Sequence, residues 1–204
     1  DRVLPVIEAL KYCGVPLSID TYKSETMRQA LHAGADCIND IWALRQEGSA
    51  DVAQESVNCG IVLMHMQRDP LTMQFNPDYQ NVVAEVLHDL LPKVQELRSR
   101  GFKDLIVDPG FGFSKSLDHN YQLLAHLRAF KLLGAPLLVG LSRKTMIWKA
   151  LGITAEEALN GSTVLHTVAL LQGASILRVH DVREAQETIH LVQKLQENGI
   201  SHLL

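Results

Sequence analysis

The chain has 204 residues, 47% of them hydrophobic and 21% charged, with a formal net charge of −4. That length can bury a sizeable core in one large domain or a compact pair, and the composition is that of an ordinary globular protein. The mildly negative balance gives no electrostatic case for nucleic acid or an anionic membrane surface, and no apolar run approaches the roughly 18 residues that span a bilayer. The expectations are therefore no nucleic-acid partner and no membrane partner, and the cysteines add the expectation of a cytoplasmic location. Cys13, Cys37 and Cys59 are odd in number, lack CxxC spacing, stand in apolar company and read as reduced core thiols.

In chain order, short β-type runs alternate with longer helical patterns. The first run is PLSID at residues 16–20, followed by helix formers over 24–33 that stop at Gly34. The second and third runs are DCINDI at 36–41 and GIVLMHM at 60–66. Residues 67–80, with two prolines and mixed polarity, read as a loop over one end of the sheet. Residues 81–100 place Val82, Val83, Val86, Leu87, Leu90, Leu91, Val94 and Leu97 at a spacing of about 3.6, which predicts a helix. The fourth run is DLIVDPG at 104–110, with a helix over 117–133 after it. PLLVGLSR at 136–143 is the fifth, and a helix over 162–172 follows, opened by Ser162 as a cap and stopped by Gly173. SILRVH at 175–180 is the sixth, and a last helix covers 181–198 before Gly199.

Strand–helix alternation predicts an α/β fold, a parallel sheet with helical crossovers. Near-continuous apolar runs fit strands buried on both faces. An open doubly wound sheet and a closed (β/α)8 barrel both satisfy that pattern. The ends of the runs discriminate between them. They carry Asp20 and Thr21, Asn39 and Asp40, His65, Asp108, Ser142 with Arg143 and Lys144, and Arg178 with His180. Parallel strands share one C-terminal rim, and a barrel builds its site from all of it, whereas an open sheet uses only the strands beside its switch point. Six contributing ends favour the barrel.

The chemistry of that rim is partly legible. Asp20, Asn39 and Asp108 supply acceptors and an amide, which suits a flat heterocycle edged with N–H donors. Lys144, Arg178 and His180 supply donors and positive charge, which suits a phosphate or diphosphate. Arg178 and His180 fall on one alternating face of the sixth run, where an unpaired charge would be costly to bury. Blander readings stand beside these: Asp181 as a helix cap, His65 as a satisfied core histidine, Arg143 or Lys144 as a solvated helix start. DPGFGFSK, residues 108–115, is a glycine-punctuated turn with aromatic surface and is not a P-loop. The sequence holds no GxGxxG, HExxH or GxSxG motif.

The ordered segments SIDTYKSETMRQALHAGADCINDI, LMHMQ, DPGFGFSKSLDHNYQLL, GLSRKTMI and ILRVHDVREA resemble the dihydropteroate synthase family, pterin-binding TIM-barrel transferases of folate biosynthesis. The resemblance implies a (β/α)8 barrel and a single pterin-binding domain over residues 1–204. It implies condensation of 6-hydroxymethyl-7,8-dihydropterin diphosphate with 4-aminobenzoate to give 7,8-dihydropteroate and diphosphate. Sulfonamides are the implied competitors, Mg2+ on the diphosphate the implied cofactor, and a homodimer through late helices the implied assembly. The family's pterin pocket falls on Asp20, Asn39, Asp108 and Lys144, lined by Met64. Its diphosphate site falls on Arg178 and His180, and Phe113 and Ser142 match positions near the aminobenzoate. Catalytic roles fall to Asp20, Asp108, Lys144, Arg178 and His180, with no protein nucleophile.

The sequence also departs from the family. The family's NVTPDSFSDGG-like and STRPG-like loops, with their two strands, have no counterpart here, so six strands stand where eight close a barrel. The family's metal-contacting Asn belongs to the first of those loops, so no metal ligand is expected within this chain. A chain starting at Asp1 is expected to turn over little, and an unclosed barrel exposes strand edges. Arg68 and Ser114 stand where glycine is common in relatives, and Trp148 where it is usual. Three other readings compete. A pterin-dependent methyltransferase module would have no diphosphate for SRK and RVHD to meet. A non-catalytic pterin-binding homologue would not need Lys144, Arg178 and His180. A generic phosphate-binding barrel enzyme would not bind a reduced pterin.

Overall fold

The apolar runs are short because each crosses one layer of sheet, and the helices between them are the crossovers that parallel neighbours require. The computed structural model describes residues 2–56, 59–67 and 77–200. Its elements are α1 (Leu4–Leu10), β1 (Ser18–Asp20), α2 (Ser24–Ala33), β2 (Cys37–Asp40), α3 (Ser49–Glu55), β3 (Gly60–Met64), α4 (Val82–Ser99), β4 (Leu105–Asp108), α5 (Leu117–Ala125), β5 (Leu138–Val139), α6 (Thr145–Leu151), α7 (Leu159–Leu171), β6 (Ile176–Leu177) and α8 (Val182–Glu197). A 3-10 helix, Leu127–Leu133, follows α5.

Strands β1 to β4 pair in parallel in sequence order, and β5 pairs in parallel with β6. A parallel bridge from Val107 to Leu137 joins the two sets. The order never reverses. A doubly wound sheet turns back at a switch point, whereas a barrel adds each strand on the same side of the last. The described strands follow the barrel's rule.

Register fixes which residues share a face. Asp20 lies opposite Asn39, Asn39 opposite Val62, and Met64 opposite Asp108. Side chains alternate with a period of two, so Asp20, Asn39, Val62, Met64 and Asp108 point to one side. Leu177 lies opposite Val139, and Val107 bridges Leu137, which puts Arg178 on the Asp108 side as well. Apart from Asp40, the other side is apolar. Ile19, Ile38, Ile61, Leu63, Leu105, Val107 and Val139 pack there into one core with Met27, Val86, Leu90, Leu97, Leu123 and Phe130 from the helices. One face holds the fold together and the other carries the polar groups.

Several elements differ from the sequence expectation. The predicted helix over 117–133 splits, because Leu127, Phe130 and Leu133 are buried at a spacing of three, and a 3-10 helix with three residues per turn puts them on one face. Helix α7 begins at Leu159, so Ser162 is internal rather than a cap; its Oγ donates to the Ala158 carbonyl at 2.8 Å and accepts from the Arg143 N–H at 2.9 Å. Asp181 occupies the N-cap position of α8 but makes no side-chain cap bond. Helix α3, of seven residues, is too short to show a period in the sequence. Cys13 is exposed, against the expectation of a core thiol; Cys59 is buried and Cys37 half-buried. Burial raises both inner thiols, Cys59 to about 11, so neither is a reactive thiolate. Arg68 and most of the loop over 67–80 lie outside the described residues.

Candidate active site

Strand β4 delivers Asp108 to the rim, buried at the start of the glycine-punctuated turn. Its Oδ1 accepts the Gly110 N–H at 2.8 Å. Burial raises its carboxyl above the ordinary range, opposed by Lys144, the Gly110 N–H, Lys115 and Arg178. Lys144 is the N-cap residue of α6, and its ammonium reaches back to donate to the Phe111 carbonyl while lying 4.9 Å from the centre of the Phe113 ring. Burial lowers its pKa, and Asp108 pulls the other way. The lysine stem needs the glycines it passes. A Cβ on Gly112 would sit 3.2 Å from Lys144 Cδ, at a left-handed φ of 80°.

Beyond β6, the backbone carries Arg178 and His180 to the same rim. His180 donates its backbone N–H to Ser142 Oγ at 3.2 Å, and its Nδ1 lies 3.1 Å from that oxygen. Arg178 Nη2 donates to Asp20 Oδ2 at 2.6 Å, and Asn39 Nδ2 donates to the same oxygen at 3.2 Å. Asp20 is thereby tied both to its neighbour on β2 and to the far end of the strand order. Asp40, next to Asn39, points to the opposite face and accepts the backbone N–H groups of Trp42 and Leu44, each at 2.8 Å. It shapes the turn after β2 and stands apart from the site.

Asp108, Phe113, Gly140, Ser142, Lys144, Arg178, Val179 and His180 line one cavity of about 270 Å³. Six of the nine residues expected to bind substrate are thus brought together by the fold. Asp20 and Asn39 adjoin through the Arg178 contact, and Met64 is buried beside Asp108 in register. A larger hollow of about 510 Å³ lies beside Gln80, Asn81, Val83, Leu87, Gln122 and His126, but no set of ionised groups converges on it. The smaller cavity is lined by a carboxylate together with Lys144, Arg178 and His180, and is the better candidate for chemistry.

Arg143, read from sequence as a solvated helix start, binds Asp181 through two parallel hydrogen bonds and also donates to the Ala155 and Glu156 carbonyls. It ties three loops together and does not line the cavity. His65 is a satisfied core histidine. Its backbone N–H donates to the Asp108 carbonyl at 3.0 Å, its Nδ1 lies 3.1 Å from Lys115 Nζ, and burial takes the imidazole down to about 2, so it is neutral. Ser114 has a φ of 50°, a left-handed conformation that favours glycine; its Oγ donates to the Gln67 carbonyl at 3.0 Å. Trp148 is half-buried against the core on α6.

Sequence reasoning missed Gly140 and Val179, which line the cavity, and gave no role to Lys115. Gly140 sits in an unbroken apolar run, where nothing signals a close approach. Lys115 had a signal that went unused: a lysine ending a glycine-rich turn right after a buried aspartate.

The residues present do not fit a protein-held Mg2+. Among the described residues no three His, Cys, Asp or Glu side chains converge. Beside the single carboxylate of Asp108, the cavity lining offers Lys144, Arg178, His180 and Ser142, which donate hydrogen bonds to an anion, whereas Mg2+ takes oxygen ligands.

The family model described as "Pterin binding enzyme" matches residues 1–180. The dihydropteroate synthase of Escherichia coli strain K12 is 43% identical over 195 residues, covering 94% of this chain and 69% of that protein. The crystal structure of the Yersinia pestis dihydropteroate synthase with a sulfonamide drug complex superposes with a TM-score of 0.93 at 39% identity, over 97% of this chain and 73% of that one. The Xanthomonas albilineans dihydropteroate synthase in complex with 7,8-dihydropteroate gives a TM-score of 0.88 at 43% identity, over 96% of this chain and 72% of that one.

Proposed function

The chain belongs to the dihydropteroate synthase family of pterin binding enzymes, and from that premise we propose that it is a transferase joining 6-hydroxymethyl-7,8-dihydropterin diphosphate to 4-aminobenzoate. One observation carries the reading: buried Asp108 shares a single cavity with Lys144, Arg178 and His180, so an acceptor for a ring edge stands beside donors for a diphosphate. A relative solved with 7,8-dihydropteroate and another solved with a sulfonamide drug complex support the same assignment.

In this reading the pterin edge donates to Asp108 and Asn39, and Met64 supplies apolar lining. The bond from the pterin methylene carbon to the diphosphate oxygen breaks, and the amine nitrogen of 4-aminobenzoate bonds to that carbon and loses a proton. Departure runs ahead of attack, because the electron-rich pterin stabilises the developing cation. Asp108 and Asp20 favour that positive charge, while Lys144, Arg178 and His180 hold the leaving diphosphate. Phe113 and Ser142 stand where the aminobenzoate approaches, the position a sulfonamide would contest. No covalent bond to the protein forms.

Mg2+ is proposed to arrive with the diphosphate rather than to reside on these residues. Its signature is an affinity for dihydropterin diphosphate that falls when Mg2+ is chelated, beside an affinity for a pterin without diphosphate that does not. Residues 1–204 are proposed to act as one pterin-binding unit. A homodimer through the late helices is supported by Val164 on α7 and by Leu191 and Leu195 on α8, all exposed, and sedimentation tests it. The free thiols Cys13, Cys37 and Cys59 fit a reducing, cytoplasmic location.

The direct test supplies the protein with dihydropterin diphosphate, Mg2+ and ring-labelled 4-aminobenzoate. At whatever rate turnover proceeds, the expected product is labelled 7,8-dihydropteroate with one diphosphate released per aminobenzoate consumed. Diphosphate release that ignores the amine would contradict the reading.

A further inference from the structure

Lys115 does not line the cavity, yet its ammonium is the hub of the turn that does. Nζ donates to the Gly110 carbonyl at 2.9 Å and to the Phe113 carbonyl at 2.9 Å, and lies 3.1 Å from His65 Nδ1. A protonated lysine has three N–H donors, and here it meets three acceptors. Two of them bracket the Gly110–Phe113 turn, and the third fixes that turn to the end of β3.

The turn has reason to need the anchor. Gly110, Gly112 and Ser114 are all left-handed, at φ of 75°, 80° and 50°. Within the turn, the Phe113 N–H donates to the Gly110 carbonyl at 3.2 Å, the upper end of the normal range, and the Gly112 N–H donates outward to Asn120 Oδ1 at 2.7 Å. Yet the turn supplies two parts of the site: the Phe113 ring and the Phe111 carbonyl that receives Lys144. Nothing else in the turn reaches β3 by way of a charge.

We propose that Lys115 is a positioning residue for the aminobenzoate end of the site, holding the Phe113 ring in place by bridging both ends of its turn to His65. The inference rests on the functional reading above for the identity of the ligand, but not for the mechanical role. Its electrostatic surroundings are Asp108 from β4, Lys144 from α6, Asp89 from α4 and the neutral His65 after β3. Burial lowers Lys115 to about 7, Asp108 opposing. As pH rises through that value the amine keeps two N–H groups for three acceptors, and the turn loosens.

Hydrogen exchange at the Phe111–Ser114 amides tests the role without any ligand. In Lys115→Met, protection there falls about tenfold while α8 is unchanged, and Lys115→Gln, which keeps two donors, falls between. Wild type shows the same local loss as pH is raised through neutrality, after correction for intrinsic exchange, and the Met variant shows none. With dihydropterin diphosphate bound, affinity for 4-aminobenzoate drops roughly fivefold in the Met variant, more than the affinity for the pterin. Turn protection equal to wild type in the variants overturns the inference, as does an equal loss of both affinities. Failure of wild type to bind either ligand contradicts the functional reading instead, and the exchange result then decides this one.

Discussion

Arg143 grips Asp181 through Nε to Oδ2 at 2.8 Å and Nη2 to Oδ1 at 2.9 Å, joining the loop after β5 to the loop after β6. Those two loops carry Ser142 and Lys144 on one side and Arg178 and His180 on the other. The pair therefore sets the spacing of the cationic groups without touching the cavity itself. A planar, two-pronged guanidinium does this and an ammonium does not.

Arg143→Lys is expected to leave the fold intact and weaken diphosphate binding by about fivefold, a loss of one geometric constraint rather than of a ligand. Isothermal titration with diphosphate and Mg2+ reads it. The pair also has a pH signature. The hydrogen bonds from Arg143 hold the Asp181 carboxyl below its ordinary range. Its contribution is present above the ordinary carboxylate pKa and is lost as pH falls through the depressed folded value. In Arg143→Ala the Asp181 carboxyl resonance should titrate at higher pH than in wild type; unchanged titration would remove the pair from the account.

Asp108→Asn should abolish pterin binding and raise thermal stability at neutral pH. The carboxylate is buried and its pKa raised, so ionising it opposes folding. An acid whose folded pKa lies above its unfolded one loses stability as pH rises between the two values. The amide keeps the acceptor for the Gly110 N–H without the charge. The gain in melting temperature should vanish as pH is lowered until the wild-type carboxyl is protonated. A variant less stable than wild type at neutral pH would show that Lys144 and Lys115 depend on the charge more than burial opposes it.

Two glycine substitutions should separate fold from site. A Cβ on Gly110 would lie 2.0 Å from the His65 carbonyl oxygen, a rigid backbone atom, at a φ of 75°. Gly110→Ala should cost about 3 kcal/mol in a denaturant titration, combining left-handed strain with a clash that the strand cannot relieve. On Gly112 the near atom is Lys144 Cδ at 3.2 Å, part of a flexible stem. Gly112→Ala should cost about 1 kcal/mol in stability and lose proportionately more pterin diphosphate affinity. Equal effects of the two on binding and stability would deny the turn its separate roles.

The parts of this site that were legible in the sequence are those that repeat. Polar groups at the ends of six apolar runs marked the rim, and the period of two within SILRVH placed Arg178 and His180 on one face. The architecture followed because strand–helix alternation leaves few parallel folds, and strand order then chose between them. What could not be read depends on contacts between distant segments. Arg143 looks like any solvated arginine until Asp181 is folded against it, and Ser162 looks like a cap until Arg143 occupies its oxygen. The 3-10 segment was hidden because Leu127, Phe130 and Leu133 also fit loosely into a helical pattern. Lys115 was visible as a residue but not as a hub, since its acceptors are two carbonyls and a histidine 50 residues away.

The central claim is that Asp108 and Lys144, with Arg178 and His180, form a working pocket for a pterin bearing a diphosphate. The most direct measurement is calorimetric binding of dihydropterin diphosphate with Mg2+ to this polypeptide, with Asp108→Asn as the control. The account predicts micromolar binding that disappears in the variant while the variant stays folded. Absence of binding by a demonstrably folded wild-type chain, or equal binding by the variant, would contradict it.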